Sequence, residues 1–283
     1  MKTVALFQKV WVVESLPEVE LKTGRALDEG NLTEATRRFP DLEVAFETPS
    51  NREEFLSVLD RVYAECVATE KFPLLHIECH GCPDGLQMAS GEVVNWSEIR
   101  EQFININSAC RLNLVVVLAA CYGVHVLNLA TKLDRAPFWA AIAPEKEVTA
   151  GHVQAGFEAF YREFFKELNG DAAIAALNHQ DAERVYHFFS IRRFFLKAYR
   201  EYYSMACRGK GQRDRVEDLV SQAMRNPHIA DNVGPSKVRQ LVKERLGHHK
   251  EDFERMAHSY FMIDLYPENA DRFLVDFNEV IQT

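Results

Sequence analysis

The sequence predicts an α/β domain of three layers built on a mainly parallel sheet, followed by a domain that is all helix. Three observations lead there. The runs Leu74 to Ile77, broken only by His76, and Leu114 to Ala120 are otherwise apolar without alternation, as strands buried on both faces of a parallel sheet are. Segments with helical spacing separate these runs, so strand and helix alternate as in βαβ units. Beyond about Gln180 the strand signal stops and only helix and turn signals remain. The 283 residues suffice for one large or two modest domains. The boundary is placed near 178, giving an α/β domain over 1–178 and a helical domain over 179–283.

Val4 to Glu14 is β-branched and aromatic and reads as the first strand; the Pro-, Glu- and Gly-rich stretch after it reads as loop around a short helix. Leu42 to Glu47 is a second, shorter strand. Ser50 to Glu54 opens a helix whose apolar residues Phe55, Val58, Leu59, Val62, Tyr63 and Cys66 recur at helical spacing. It feeds the strand Leu74-Leu75-His76-Ile77-Glu78-Cys79-His80-Gly81. Pro83, Asp84-Gly85 and Ser90-Gly91 mark a turn-rich stretch, and a helix follows from Asn95 to about Phe103. The strand ending in Ala119-Ala120-Cys121-Tyr122-Gly123 comes next. A helix from about Val124 to Leu133, a strand at Phe138 to Ala143 closed by Pro144, and a helix from about His152 to Leu168 complete the series. In the second domain Val185, Phe188, Phe189, Leu196, Tyr199, Tyr202 and Tyr203 recur at three- and four-residue spacing and predict one long helix. Further helices are expected near Val216–Met224, Ser236–Leu246, Glu251–Leu265 and Ala270–Ile281.

The net charge of −9 argues against a surface built as a whole for nucleic acid. No window approaches the roughly 20 apolar residues of a membrane span, and the start lacks a cleavage site of small residues. A cytoplasmic protein with no membrane partner is expected. The six cysteines lie in apolar or helical context, in a chain far larger than disulfide-stapled domains, and read as reduced thiols.

Two strands thus end in reactive side chains, His80 and Cys121, and ligands of open α/β sheets bind in the crevice at the carboxyl ends of the strands. A thiol at its ordinary pKa is only a few per cent thiolate at neutral pH, so it needs an imidazole as base or ion-pair partner. A lone Cys on an apolar strand is more often a small core residue. The ordered pair, each member at a strand end, favours a site. His125, four residues after Cys121, is a weaker rival base, because a helix starting at Val124 carries it away from the His80 loop. His76, Cys79, His80 and Cys82 suggest zinc by composition. Strand alternation sends His76 and His80 to one face and Cys79 to the other, so no metal is expected. Cys79 and Cys110 read as core packing. Glu145 and Glu147 lie just past the strand closed by Pro144, where exposed glutamates are commonly just solvated. Basic residues from Arg184 to Arg215 stand among aromatics, a pattern that suits an anionic ligand or partner surface, although charges on the outer face of an aromatic-cored helix look the same.

A His-Gly after one apolar strand and an Ala-Cys after the next resemble the caspase-like fold of cysteine peptidases. The turn Gly85-Leu86-Gln87-Met88, with Gly91-Glu92 and the helix start Trp96-Ser97-Glu98-Ile99, is similar to bacterial CHAT-type domains. The resemblance covers residues 70–165 well and the first 70 loosely, and does not reach the helical tail. It implies that Cys121 attacks a peptide carbonyl, that His80 handles the proton passed to the leaving amine, and that the backbone N–H groups of Gly81 and Cys121 hold the oxyanion. No cofactor is implied. Where caspase signatures carry Gln before the Ala-Cys, Ala119 stands here, so no preference for the residue before the scissile bond follows; Ala119, Glu145 and Glu147 are candidate pocket residues. The resemblance further implies a regulated bacterial protease with one protein substrate, in antiphage defence or cell death, whose helical domain gates the cleft or presents a partner. The rival expectation is a catalytically silent caspase-like module acting through its helices. A nucleotide-sensing domain lacks its Gly-rich phosphate loop.

Overall fold

A computed structural model describes residues 7–179 and 185–281. Residues 4–6 of the expected first strand, and Arg184, lie outside them. The chain divides into two compact units, 1–191 and 192–283.

The first unit is built on strands β1 (Lys9–Ser15), β2 (Glu43–Glu47), β3 (Pro73–Cys82), β6 (Val115–Ala119), β7 (Ala140–Pro144) and β8 (Tyr186–Ser190), in the order β2-β1-β3-β6-β7-β8. All neighbours are parallel except β7 and β8. Two short strands, β4 (Gly85–Gln87) and β5 (Val93–Asn95), form an antiparallel extension on the end of β3. The mixed α/β class with a mostly parallel sheet is therefore as expected.

Alternation along the strands supplies both buried faces. Val10, Val12, Leu74, Val115, Val117 and Ile142 share one core with Leu27, Leu32 and with Phe157, Phe160 and Tyr161. The latter belong to α1 (Thr23–Leu27), the short π-helical segment Asp28–Leu32 that continues it into α2 (Thr33–Arg38), and α5 (Ala150–Glu167), against which α6 (Gly170–His179) packs. Leu75, Ile77, Val116 and Leu118, also buried, point the other way. The helix pair α3 (Arg52–Thr69) and α4 (Trp96–Ala109) contributes a second set of buried residues, among them Phe55, Leu59, Ile99 and Phe103. Both helices start on a side-chain cap: the Asn51 side chain accepts from the Glu54 N–H at 3.0 Å, and Asn95 with Glu98 forms a reciprocal box.

The structure corrects several expectations. Residues 186–190 are not the start of a long helix; they form β8, antiparallel to β7, with Ile142 opposite Phe188 and Ala140 opposite Ser190. Val185, Phe188 and Phe189 fit helical spacing, yet over five residues spacing does not separate helix from an aromatic strand. The division into units accordingly falls after Ile191, not near 178. The expected helix at 124–133 is a 3-10 segment, Gly123–Ala130. The helix α6 was not foreseen, nor was the β4–β5 hairpin, whose strands of three residues are too short to alternate visibly.

The second unit contains the rest of α7 (Ile191–Ala206), then α8 (Gly209–Met224), α9 (Pro227–Asn232), α10 (Pro235–Leu246), α11 (His249–Tyr260), α12 (Asn269–Arg272) and α13 (Asn278–Ile281). The single terminal helix expected at 270–281 is thus two short ones, and the loss of helix after Tyr260 shortens the one expected to reach Leu265. Phe195 and Tyr199 pack on Phe253, and Phe195 also on Tyr260 and Phe261, so the aromatic stripe of α7 is core. Much of the basic segment is internally engaged. Arg192 pairs with Glu279 at 2.9 Å, Arg200 donates to the Glu279 carbonyl at 2.8 Å, and Arg208 and Arg215 lie over Tyr203 and Tyr202. No helix among the described residues is long and apolar enough to cross a membrane.

Candidate active site

β3 and β6 are adjacent and parallel, with Glu78 opposite Ala119. Two residues further on each chain stand His80 and Cys121, so both side chains emerge at the same carboxyl end of the sheet. β3 leaves the main sheet at this point: its pairing with β1 ends at Cys79, and from His80 it pairs with β4 instead. His80 is exposed and Cys121 half-buried.

The two loops touch through their backbones. A Cβ on Gly81 would stand 2.1 Å from the Cys121 carbonyl oxygen and 3.1 Å from its nitrogen. Only glycine permits that approach. After Cys121 the chain turns sharply through Tyr122, which adopts a left-handed φ of 56°. The Tyr122 N–H is donated to the Lys146 carbonyl at 3.1 Å, and its hydroxyl to Glu147 at 3.3 Å, tying this turn to residues 145–148. The Val148 N–H points at the Cys121 sulfur, 3.4 Å away. The Cys121 N–H itself has no hydrogen-bond acceptor among the described residues.

His80 has a partner that the sequence reading missed. Its Nε2 lies 2.9 Å from Glu20 Oε2 and 3.1 Å from Oε1. Glu20 sits on the loop that joins β1, the strand neighbouring β3, to α1. The loop is closed by the Lys22 ammonium on the Leu16 and Pro17 carbonyls and by the Glu20 N–H donated to Pro17 at 3.1 Å. Its only sequence signal is an acidic side chain just past the carboxyl end of a strand. In this arrangement His80 bonds Glu20 and Cys121 engages Val148, and the imidazole and the sulfur are not hydrogen-bonded to one another.

The candidate pocket residues separate. Ala119 is 6 % exposed at the end of β6, within the core shared by the strands. Glu145 is exposed and pairs with His187 at 3.2 Å; Glu147 is exposed beside Tyr122. His125 lies in the 3-10 segment with its N–H on the Tyr122 carbonyl. His76 is buried, its Nε2 2.8 Å from Glu78 and its Nδ1 3.1 Å from the Tyr161 hydroxyl. Among the described residues no group of three or more His, Cys, Asp or Glu is arranged to hold a metal ion.

The other thiols differ from Cys121 in their surroundings. All six cysteines are free, and Cys79 and Cys110 are buried as expected. Burial, with the Glu78 and Cys121 charges adding to it, pushes the Cys79 thiol far above its ordinary range. The contact with Cys66, 3.6 Å away, and burial push Cys110 up likewise. Cys82 is half-buried, with its sulfur on the Gly85 carbonyl at 3.6 Å. No family model and no curated protein matches the chain.

Proposed function

We propose that the chain is a caspase-like cysteine endopeptidase in which Cys121 is the nucleophile, His80 moves the proton, and Glu20 orients His80. The observation that carries this reading is the pairing of Glu78 with Ala119, which brings His80 and Cys121 to one sheet end with the Gly81 and Cys121 backbones in contact. The Cys121 sulfur, as thiolate, bonds to the peptide carbonyl carbon, and the oxyanion is received by the N–H groups of Gly81 and Cys121. The His80 imidazolium gives its proton to the leaving amine as the C–N bond breaks. Water then attacks the thioester while His80 takes up its proton, and the carboxylate product leaves with the sulfur restored as thiolate. Glu20 accepts from Nε2 and so leaves Nδ1 as the nitrogen that exchanges the proton. The resemblance extends the proposal to a regulated bacterial protease acting on one particular protein.

One observation favours a second reading, a catalytically silent module: the imidazole and the sulfur each have another partner. A peptide bearing a thiol-reactive electrophile separates the two. The peptidase reading expects rapid labelling of Cys121 that is lost in His80→Ala, whereas labelling of Cys121 no faster than that of the exposed thiol of a denatured chain contradicts it.

A further inference from the structure

Beneath the site lies a set of buried polar groups that the reaction does not use. Glu14 on β1 and Glu78 on β3 are register partners, 3 % and 1 % exposed. Two carboxylates side by side in a core are costly, and apolar residues of the same size pack there at less cost. Three of their four oxygens are engaged. Glu14 Oε1 accepts the N–H groups of Gly24 at 3.0 Å and Arg25 at 3.2 Å. Glu78 Oε2 accepts the Thr23 hydroxyl, and Oε1 faces His76 Nε2 at 2.8 Å. The Tyr161 hydroxyl completes the chain at His76 Nδ1, so that hydrogen bonds link α5 through β3 to Thr23 and converge on Glu78, which accepts from both sides. Gly24 belongs to the same device, since a Cβ there would stand 3.2 Å from both Glu14 Oε1 and Val12 Cγ1.

Both carboxylates hold the same object, the first residues of α1. Thr23 lies three residues after Glu20, and Lys22 between them closes the Glu20 loop on its own start. Glu78 stands two residues before His80 on the same strand. We propose, on the basis of the dyad reading above, that Glu78 and Glu14 are positioning residues, which dock Thr23 and the start of α1 so that Glu20 meets His80 in one orientation. A buried hydrogen-bonded network specifies one geometry where an apolar contact tolerates sliding, and His80 is exposed, with Glu20 as its side-chain partner.

The test is the rate of Cys121 alkylation by iodoacetamide in the full chain, resolved by peptide mass spectrometry, with melting recorded for each variant. Thr23→Val removes the hydroxyl and keeps the shape. It is expected to slow alkylation about tenfold or more in a protein that still melts cooperatively, at a lower temperature because Glu78 Oε2 loses its donor, and Thr23→Ser is expected to restore both. In a His80→Ala background Thr23→Val is expected to add nothing, because it acts through that ring. Glu78→Gln, which keeps the volume and one acceptor, is the second variant, expected to act in the same direction. If His80→Ala slows alkylation and neither Thr23→Val nor Glu78→Gln does, positioning is overturned while the dyad stands. An equal slowing by Thr23→Val with and without His80 also overturns it, as a merely structural effect. Alkylation unaffected by His80→Ala overturns the dyad and the positioning together.

Discussion

Gly81 shows most directly how one residue shapes the candidate site. Its missing Cβ is what lets the His80 loop lie on the Cys121 backbone, so Gly81→Ala must push the loops apart. Displacing an oxyanion donor costs about 10² to 10³ in rate; the expected result is a loss of that order in peptide turnover, with circular dichroism unchanged. Glu14 provides a test at the same scale that needs no substrate. Burial raises its carboxyl pKa and the Glu78 charge raises it further, against the Arg25 and Gly24 N–H donors and the Lys22 charge; His76 and Tyr161 face Glu78 from beyond it. The native state therefore holds the Glu14 proton to higher pH than the unfolded chain does, and stability falls as pH rises from the ordinary carboxylate range through the raised value. Glu14→Gln keeps an acceptor oxygen and removes the charge, so denaturant melts are expected to show it gaining on the parent protein across that window and holding the gain above it. Glu14→Ala instead strands two N–H groups and is expected to cost about 1–3 kcal/mol. His80 and Cys121 were legible as residues because each closes an apolar run before glycine or near it. Glu20 was not, since its loop has no periodicity and its role exists only once β1 and β3 are known to be neighbours.

Among the elements, β3 does the most. Ten residues long, it begins in the core, carries Glu78 and Cys79 beside β1 and β6, and then leaves the sheet with His80 to build a hairpin with β4. Its core half reads plainly in sequence because strands buried on both faces read as near-continuous apolar runs, here interrupted by His76 and Glu78. Its far end does not, because the pairing there depends on a partner strand of three residues. β8 was hidden for a related reason: Tyr-His-Phe-Phe-Ser offers aromatics at positions that helix and strand both accept, and tertiary pairing with β7 decides. This gives a prediction about truncation. A chain ending at 178 lacks β8 and exposes the edge of β7, an apolar strand of Ala140–Pro144 with its backbone groups unpaired. A chain ending at 191 keeps the edge covered. Size-exclusion chromatography is expected to find the longer fragment monomeric and the shorter one aggregated. Equal behaviour of the two contradicts the assignment of β8 to the sheet.

At the scale of the molecule, the strand order sets where the candidate site lies. The chain runs from β1 outward to β2 and returns on the other side to β3, and the crevice of an open α/β sheet forms at such a reversal, outside the carboxyl ends of the strands. Glu20, His80 and, one strand over, Cys121 all lie at those ends. The alternation of strand and helix made this layout legible in outline, while the order of strands depended on long-range pairing that no local pattern encodes. The helical unit was legible as helix, and its aromatic residues pack into a core of their own. The central claim, that Cys121 and His80 together cleave peptide bonds, is tested most directly by turnover of a peptide library by the purified full chain and its variants. The account predicts cleavage by the parent protein, none by a folded Cys121→Ala, a loss nearly as large in His80→Ala, and activity retained in Cys79→Ala, Cys82→Ala and Cys110→Ala. Cleavage persisting in a folded Cys121→Ala protein would contradict it.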